Sequence, residues 1–155
     1  MVESENTMII RTLYPNYSLL PKLRVINSKK EPGEKAGWKI LSQIIVYDCK
    51  EGDEFHVMIE FLAKNESLRE RKPKGLSVRV TSKVLANETE IIPAGGYNIT
   101  PEGHYGLFSR QGIYKATQTA DLTIDLYVKA ACTQAKESDY IEFGDITSIQ
   151  AIRVN

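Results

Sequence analysis

The sequence predicts an all-β domain: an antiparallel β-sandwich of jelly-roll type preceded by an extended N-terminal arm. Two observations carry that expectation. Apolar and polar residues alternate with period two over several segments, which is the pattern of strands with one buried face. Clusters of turn-forming residues punctuate those segments, with a spacing that suits a sandwich better than an open sheet covered by helices. A chain of 155 residues can bury roughly 70% of the surface its unfolded form exposes, enough for one self-sufficient core.

Residues 1–35 read as an extended arm and linker. Met8 to Leu13 and Ser18 to Val25 carry apolar residues, but Pro15 and Pro21 interrupt them and a polar run, Asn27 to Lys35, follows. Proline removes a backbone donor, so such stretches suit edge strands or an arm rather than the middle of a sheet. An arm that carries Ile9, Ile10, Leu13, Tyr14, Leu19 and Leu20 needs an apolar surface, on its own domain or on a neighbouring chain.

Residues 36–155 read as the sandwich. Trp38 to Tyr47 is apolar but irregular, which implies a bulge or burial on both faces. Between Asp53 and Ala63, Phe55, Val57, Ile59 and Phe61 alternate with Glu54, His56, Met58 and Glu60. From Leu76 to Leu85, Val78, Val80 and Val84 alternate with polar residues. The clearest strand starts at Leu122, with Ile124, Leu126, Val128 and Ala130 on the same face. Tyr140 to Phe143 and Ile146 to Val154 read as a hairpin closed by Gly144-Asp145. Turns are expected at Asp48 to Asp53, Lys64 to Gly75, Ala94-Gly95-Gly96 and Thr133 to Asp139. Lys64 to Arg71 and Thr133 to Ser138 have room for only a turn or two of helix.

Composition narrows the function classes. Twenty basic and twenty acidic residues cancel, whereas a dedicated nucleic-acid binder draws its affinity from a basic excess, so no direct nucleic-acid partner is expected. The acidic, polar start, Met1 to Thr7, is the opposite of an export signal, and no apolar run approaches a membrane span; the expectation is a chain neither exported nor membrane-bound. Cys49 and Cys132 read as two separate thiols packed as small hydrophobes, although a bridge between neighbouring strands needs only suitable geometry. Four N-x-S/T sequons, at Asn16, Asn65, Asn87 and Asn98, read as turns, for which Asn is suited by its own conformation, with glycosylation as the alternative role.

Catalytic patterns are missing from the sequence. His56 and His104 stand apart, without metal-ligand spacing or a triad partner, and no phosphate-cradling glycine motif follows Gly95-Gly96. Glu54 with Glu60, and Asp121 with Asp125, fit solvated strand faces better than a catalytic pair. The expectation is a non-enzyme that needs no metal or cofactor.

Two segments stand out as contact candidates. The stretch from Ala94 to Gly106, AGGYNITPEGHYG, packs glycines and aromatics into what reads as a long connection. Its bland role is a crossover whose glycines permit unusual backbone angles; its sharper role is a ligand loop built from Tyr97, His104 and Tyr105, with Tyr114 nearby, facing a partner subunit or a glycan. Arg69, Arg71, Lys72 and Lys74 cluster in a second segment, a solvated loop tip or an electrostatic dock for an acidic protein surface.

The proline-interrupted arm, Met8 to Val25, the loop AGGYNITPEGHYG and the alternating strand DLTIDLYVKAAC together resemble small tailed-phage virion proteins. That resemblance implies a capsid cement or decoration protein, or a fibre or tail knob, located in the virion after assembly in the host cytoplasm. Its partners would be other capsid or tail subunits and further copies of itself, a trimer being favoured over a dimer. The arm residues would then dock the protein, with the cationic segment as a secondary contact. A carbohydrate- or receptor-binding sandwich is the alternative.

Overall fold

The computed structural model describes residues 9–11 as backbone, and residues 18–33, 35–65, 77–99, 105–145 and 147–154 in full. Among them eleven strands form and no helix does. In chain order they are β1 (Ile9–Arg11), β2 (Lys22–Arg24), β3 (Ile26–Asn27), β4 (Lys39–Cys49), β5 (Glu54–Lys64), β6 (Val78–Ala86), β7 (Thr89–Ile99), β8 (Gly106–Lys115), β9 (Ala120–Cys132), β10 (Tyr140–Phe143) and β11 (Ser148–Arg153).

Two sheets face each other. In the first, β5 pairs antiparallel with β8 on one edge, while β10 and β11 share the other edge end to end and carry β2 and β1 outside them. In the second, β9 lies between β6 and β4, β7 flanks β6, and β3 continues the β4 side as a short parallel addition. The core between them is what the alternation predicts. Phe55, Val57, Ile59, Phe61 and Ala63 of β5 are buried against Leu122, Ile124, Leu126, Val128 and Ala130 of β9 and Val78, Val80 and Val84 of β6. Phe61 stacks on Phe108 at 4.8 Å and meets Phe143 edge-on at 6.0 Å. Burial at this scale contributes about 1.5–3 kcal/mol per large apolar side chain.

The irregularity of β4 is a pair of register shifts against β9, between Ile40 and Ser42 and between Val46 and Cys49. Leu41 and Ser42 are consecutive and both buried, as a bulge requires. At the second shift Asp48 takes φ 55°, and its N–H donates to Asp121 Oδ1 at 2.9 Å.

Three expectations need correction. The end of the chain is not a hairpin: β10 and β11 run in the same direction, each antiparallel to β5, with Phe143 opposite Ala63 and Ser148 opposite Glu60. Gly144 stays in the ladder by donating to Leu62 O at 2.9 Å, so the residues after it form a jog within one edge. Ser18 holds that jog, its hydroxyl 2.8 Å from Gly144 O and 2.7 Å from Thr147 Oγ1. Second, Ala94-Gly95-Gly96 is no turn and Ala94 to Gly106 is not one connection throughout, because residues 89–99 are β7 and residues 106–115 are β8, which leaves only 100–105 between them. The glycines serve close approach: a methyl group at position 96 would run into the carbonyl oxygen of Val80 on β6.

Third, position 35 does not separate an arm from a domain. Leu23, Val25 and Ile26 are buried, Leu23 and Val25 within the same core as β5 and β9, and Val25 N donates to Asp139 O at 2.9 Å. Pro21 falls just before β2, where a missing donor costs nothing and its carbonyl accepts from Phe143 N at 2.9 Å. The proline signalled a sheet edge, and that edge belongs to the sandwich.

Candidate functional site

The two ends of the sandwich are built differently. At one end the strands turn back tightly. Asn87 and Glu88, at φ 45° and 72°, join β6 to β7 in the left-handed conformation that two-residue hairpins require. Asn87 earns its place through its side chain, accepting from Thr123 N at 2.8 Å and donating to Asp121 O at 3.1 Å. The β4–β5 turn is closed by Lys50 N to Asp53 Oδ2 at 2.9 Å and tied to the β8–β9 connection through Glu51 N to Thr119 Oγ1 at 3.0 Å.

The opposite end carries the long connections. The last residue of β5 and the first of β6 bracket residues 65–77, and the last of β7 and the first of β8 bracket residues 100–105. Val78 and Ile99 are register partners, so the stems of both connections emerge side by side. Asn65, buried, links the sheets here by donating from Nδ2 to Ile99 O at 3.3 Å. Of its sequon's two possible roles, only the structural one is compatible with that burial.

This end gathers part of the expected contact set. Tyr97 on β7 is 59% exposed, with its ring 5.9 Å from Phe108; Tyr105, just ahead of β8, is 43% exposed, and Lys64 Nζ lies 5.5 Å from its ring centre. Tyr114 does not belong with them. It is 8% exposed, faces the core opposite Phe55, and lies at the tight-turn end of β8. Phe108 and Tyr114 are six positions apart, an even step along the strand, so alternation places both rings inward. His104 and the cationic residues Arg69, Arg71, Lys72 and Lys74 lie outside the described residues, although their segments are anchored at this same end.

The proposed arm residues divide. Ile9 and Ile10 sit in β1, opposite Ile152 and Ala151 of β11. Leu13 and Tyr14 lie outside the described residues. Leu20 packs against the core, and Leu19 is 66% exposed although its N–H is held by Leu41 O at 2.8 Å.

A feature the sequence reading missed lies on the outer face of the first sheet. Outward positions of three strands line an open cavity of about 270 Å³: Gln150, Met58 and Gln111 form one row across β11, β5 and β8, and Ser148, Glu60 and Ser109 the next. His56 borders it, its Nε2 2.9 Å from Gln111 Oε1. The signal was present as polar residues on three alternating strands, but only the register shows that they align.

Other polar groups are structural. Arg110, whose side chain turns inward at the β8 edge, donates from Nη1 to Ser82 O at 2.7 Å and so bridges the sheets. Lys83 lies 4.3 Å over the Trp38 ring, and Lys129 donates to Gly33 O at 3.1 Å, pinning the connection before β4. Among the described residues no group of three or more His, Cys, Asp or Glu is placed to hold a metal ion, and no helix is long and apolar enough to cross a membrane.

The cysteines are free and stand at opposite ends of β9, Cys49 opposite Ala120 and Cys132 at its last position. Burial, seconded by Asp53, pushes the Cys49 thiol above its ordinary value; Arg153 opposes the shift and Asp121 adds to it. The folded state thus keeps this proton where the unfolded chain has lost it. The stabilising contribution is complete below the ordinary thiol pKa and declines as pH rises beyond it. Alkylation of the native protein should modify half-buried Cys132 first and reach Cys49 only on unfolding; equal rates at both, followed by peptide mapping, would contradict this.

No family model matches the chain, and no curated protein does. Solved structures do. Chains of infectious bursal disease virus match it in the Gx strain (13% identity, TM-score 0.54, 94% of this chain and 32% of that one), in the T13 particle (15%, 0.55, 95% and 31%) and in the Gt strain (13%, 0.55, 96% and 33%). At these identities the likeness is one of fold, and the present chain spans about a third of the length of those viral chains.

Proposed function

We propose that this protein is a structural virion component, a cement or decoration subunit that binds neighbouring particle subunits through the long-connection end of its sandwich and its N-terminal segment. The observation that carries the reading is the sandwich fold, shared over nearly the whole chain with part of an icosahedral virus particle's chains. The asymmetry of the two ends supports it. Long connections are where contact residues concentrate when a rigid scaffold holds their stems, and here Asn65 and the Val78–Ile99 pair hold them.

Residues 18–27 are committed to the fold, so docking by an arm falls to the segment before Ser18. Purified particles lacking the protein, mixed with it and run through a density gradient, test this. The full chain should co-migrate with particles, a chain starting at Ser18 should not, and neutralising Arg69, Arg71, Lys72 and Lys74 should weaken binding in a salt-dependent way. Decoration by the shortened chain would sink docking by the arm; no binding by the full chain would sink the cement role.

The exposed rings of Tyr97 and Tyr105 favour a second reading, a carbohydrate- or receptor-binding module, because exposed aromatic faces are suited to stack on sugar rings. Loss of glycan-array signal in Tyr105→Ala would support it, and an array silent for the full chain would remove it.

A further inference from the structure

β8 pairs with β5 along one edge, and no described strand pairs with its other edge. Native sheets guard such edges with prolines or outward charges, since unpaired N–H and C=O groups are a template for another strand. β7, at the edge of the second sheet, has the exposed Pro93. The middle of β8 has no such guard: from Leu107 to Ile113 it contains no proline, and the one charge in that stretch, Arg110, is drawn inward to Ser82 O. Its outward residues instead include Leu107 and Ile113, 64% and 66% exposed.

The outward pattern is its own complement. Tyr105, Leu107, Ser109, Gln111, Ile113 and Lys115 lie on one face, and an antiparallel copy centred on Arg110 sets Leu107 against Ile113, Ser109 against Gln111, and Tyr105 against Lys115. Each pair is matched in kind: apolar with apolar, neutral polar with neutral polar, aromatic ring with ammonium. In a continuous sheet, partners must share a face, so the register can shift only by moving the centre a whole residue. Centring on Ser109 puts Leu107 against Gln111, and centring on Gln111 puts Leu107 against Lys115 and Ser109 against Ile113. On the inward face the Arg110 register sets Phe108 against Gly112 and Tyr114 against Gly106, a ring opposite a residue without a side chain each time; at Gly112 the space above the backbone is already taken by Ile91 O of β7, 2.8 Å from where a Cβ would stand. Its one unfavourable pair is Arg110 with itself, and each guanidinium is already bonded within its own chain.

From this we propose that β8 is a self-pairing edge, through which two copies of this chain join their first sheets across a two-fold axis at Arg110. The contact is isologous and closed, so it gives a dimer and not a fibre. It differs from the three-fold assembly expected from the sequence, and it does not depend on the virion reading.

Light scattering and sedimentation of the full chain over a range of concentrations test it. The wild type should show the mass of two chains. Leu107→Lys with Ile113→Lys, at exposed positions and with an unchanged circular dichroism spectrum, should weaken the dimer at least about tenfold. Under mild oxidation, a Ser109→Cys chain mixed with a Gln111→Cys chain should form a linked heterodimer faster than either links alone, with the wild type as the control for Cys132. A wild type monomeric at every concentration, or a dimer indifferent to both lysines, overturns the proposal. A dimer weakened by the lysines but without preference for the mixed pair overturns the two-fold at Arg110.

Discussion

A chain that begins at Ser18 is expected to keep a cooperative melting transition, and one that begins at Ile26 is expected to lose it. The longer deletion removes Leu23 and Val25 from the core, together with Leu20 packed beside them. At about 1.5–3 kcal/mol for each large side chain buried, these alone approach the 5–15 kcal/mol or so by which domains are stable. Backbone losses add to this: the β2–β10 ladder, the Phe143 N to Pro21 O bond and the Ser18 contacts that close the jog between β10 and β11. The shorter deletion removes, among described elements, only β1 at the outer edge of β11. Circular dichroism melts of both chains decide the matter. A sharp transition in the chain starting at Ile26 would mean that the N-terminal strands are an appendage after all, and residues 1–35 would regain their standing as a separable arm.

That contrast shows what hydrophobic patterning conveys. β5, β6 and β9 were legible because most of their inward positions hold branched or aromatic residues, with Ser82 the one polar exception, so period two reports burial directly. β8 was not legible because its signal is inverted: inward positions include Arg110 and Gly112, while Leu107 and Ile113 face outward. β10 and β11 were found as strands but misjoined, since Gly144-Asp145 suits a hairpin turn and a jog equally and only the facing strand decides. Among the site residues, Tyr97 and Tyr105 were suggested by composition and do lie at one end, whereas Tyr114 shared their residue type but not their face. The polar rows beside Glu60 were invisible because register is a tertiary fact.

β7 offers the severest single test of that account. Read from the sequence, Gly95-Gly96 is a turn, where alanine is tolerated or not according to φ. In the fold both glycines are extended strand residues, and they differ in what stands beside them. A methyl group at position 95 would come within 3.1 Å of Arg110 Nη2, the movable tip of a long side chain. At position 96 it would meet the backbone of β6 at Val80 and Thr81, which cannot withdraw without opening the β6–β7 ladder between Val80–Tyr97 and Thr81–Gly96. Gly96→Ala is therefore expected to destabilise by about 3 kcal/mol or more, at the upper end of overpacking costs, and to lower the melting temperature by roughly 6–12 °C in a chain of this size. Gly95→Ala should stay within about 1 kcal/mol of the wild type. The larger change should also displace Tyr97 from Phe108 and, with it, the aromatic surface at the long-connection end. Urea unfolding of the two variants side by side measures the difference; equal midpoints would mean that the pair forms an ordinary loop and that β7 does not extend past Ala94.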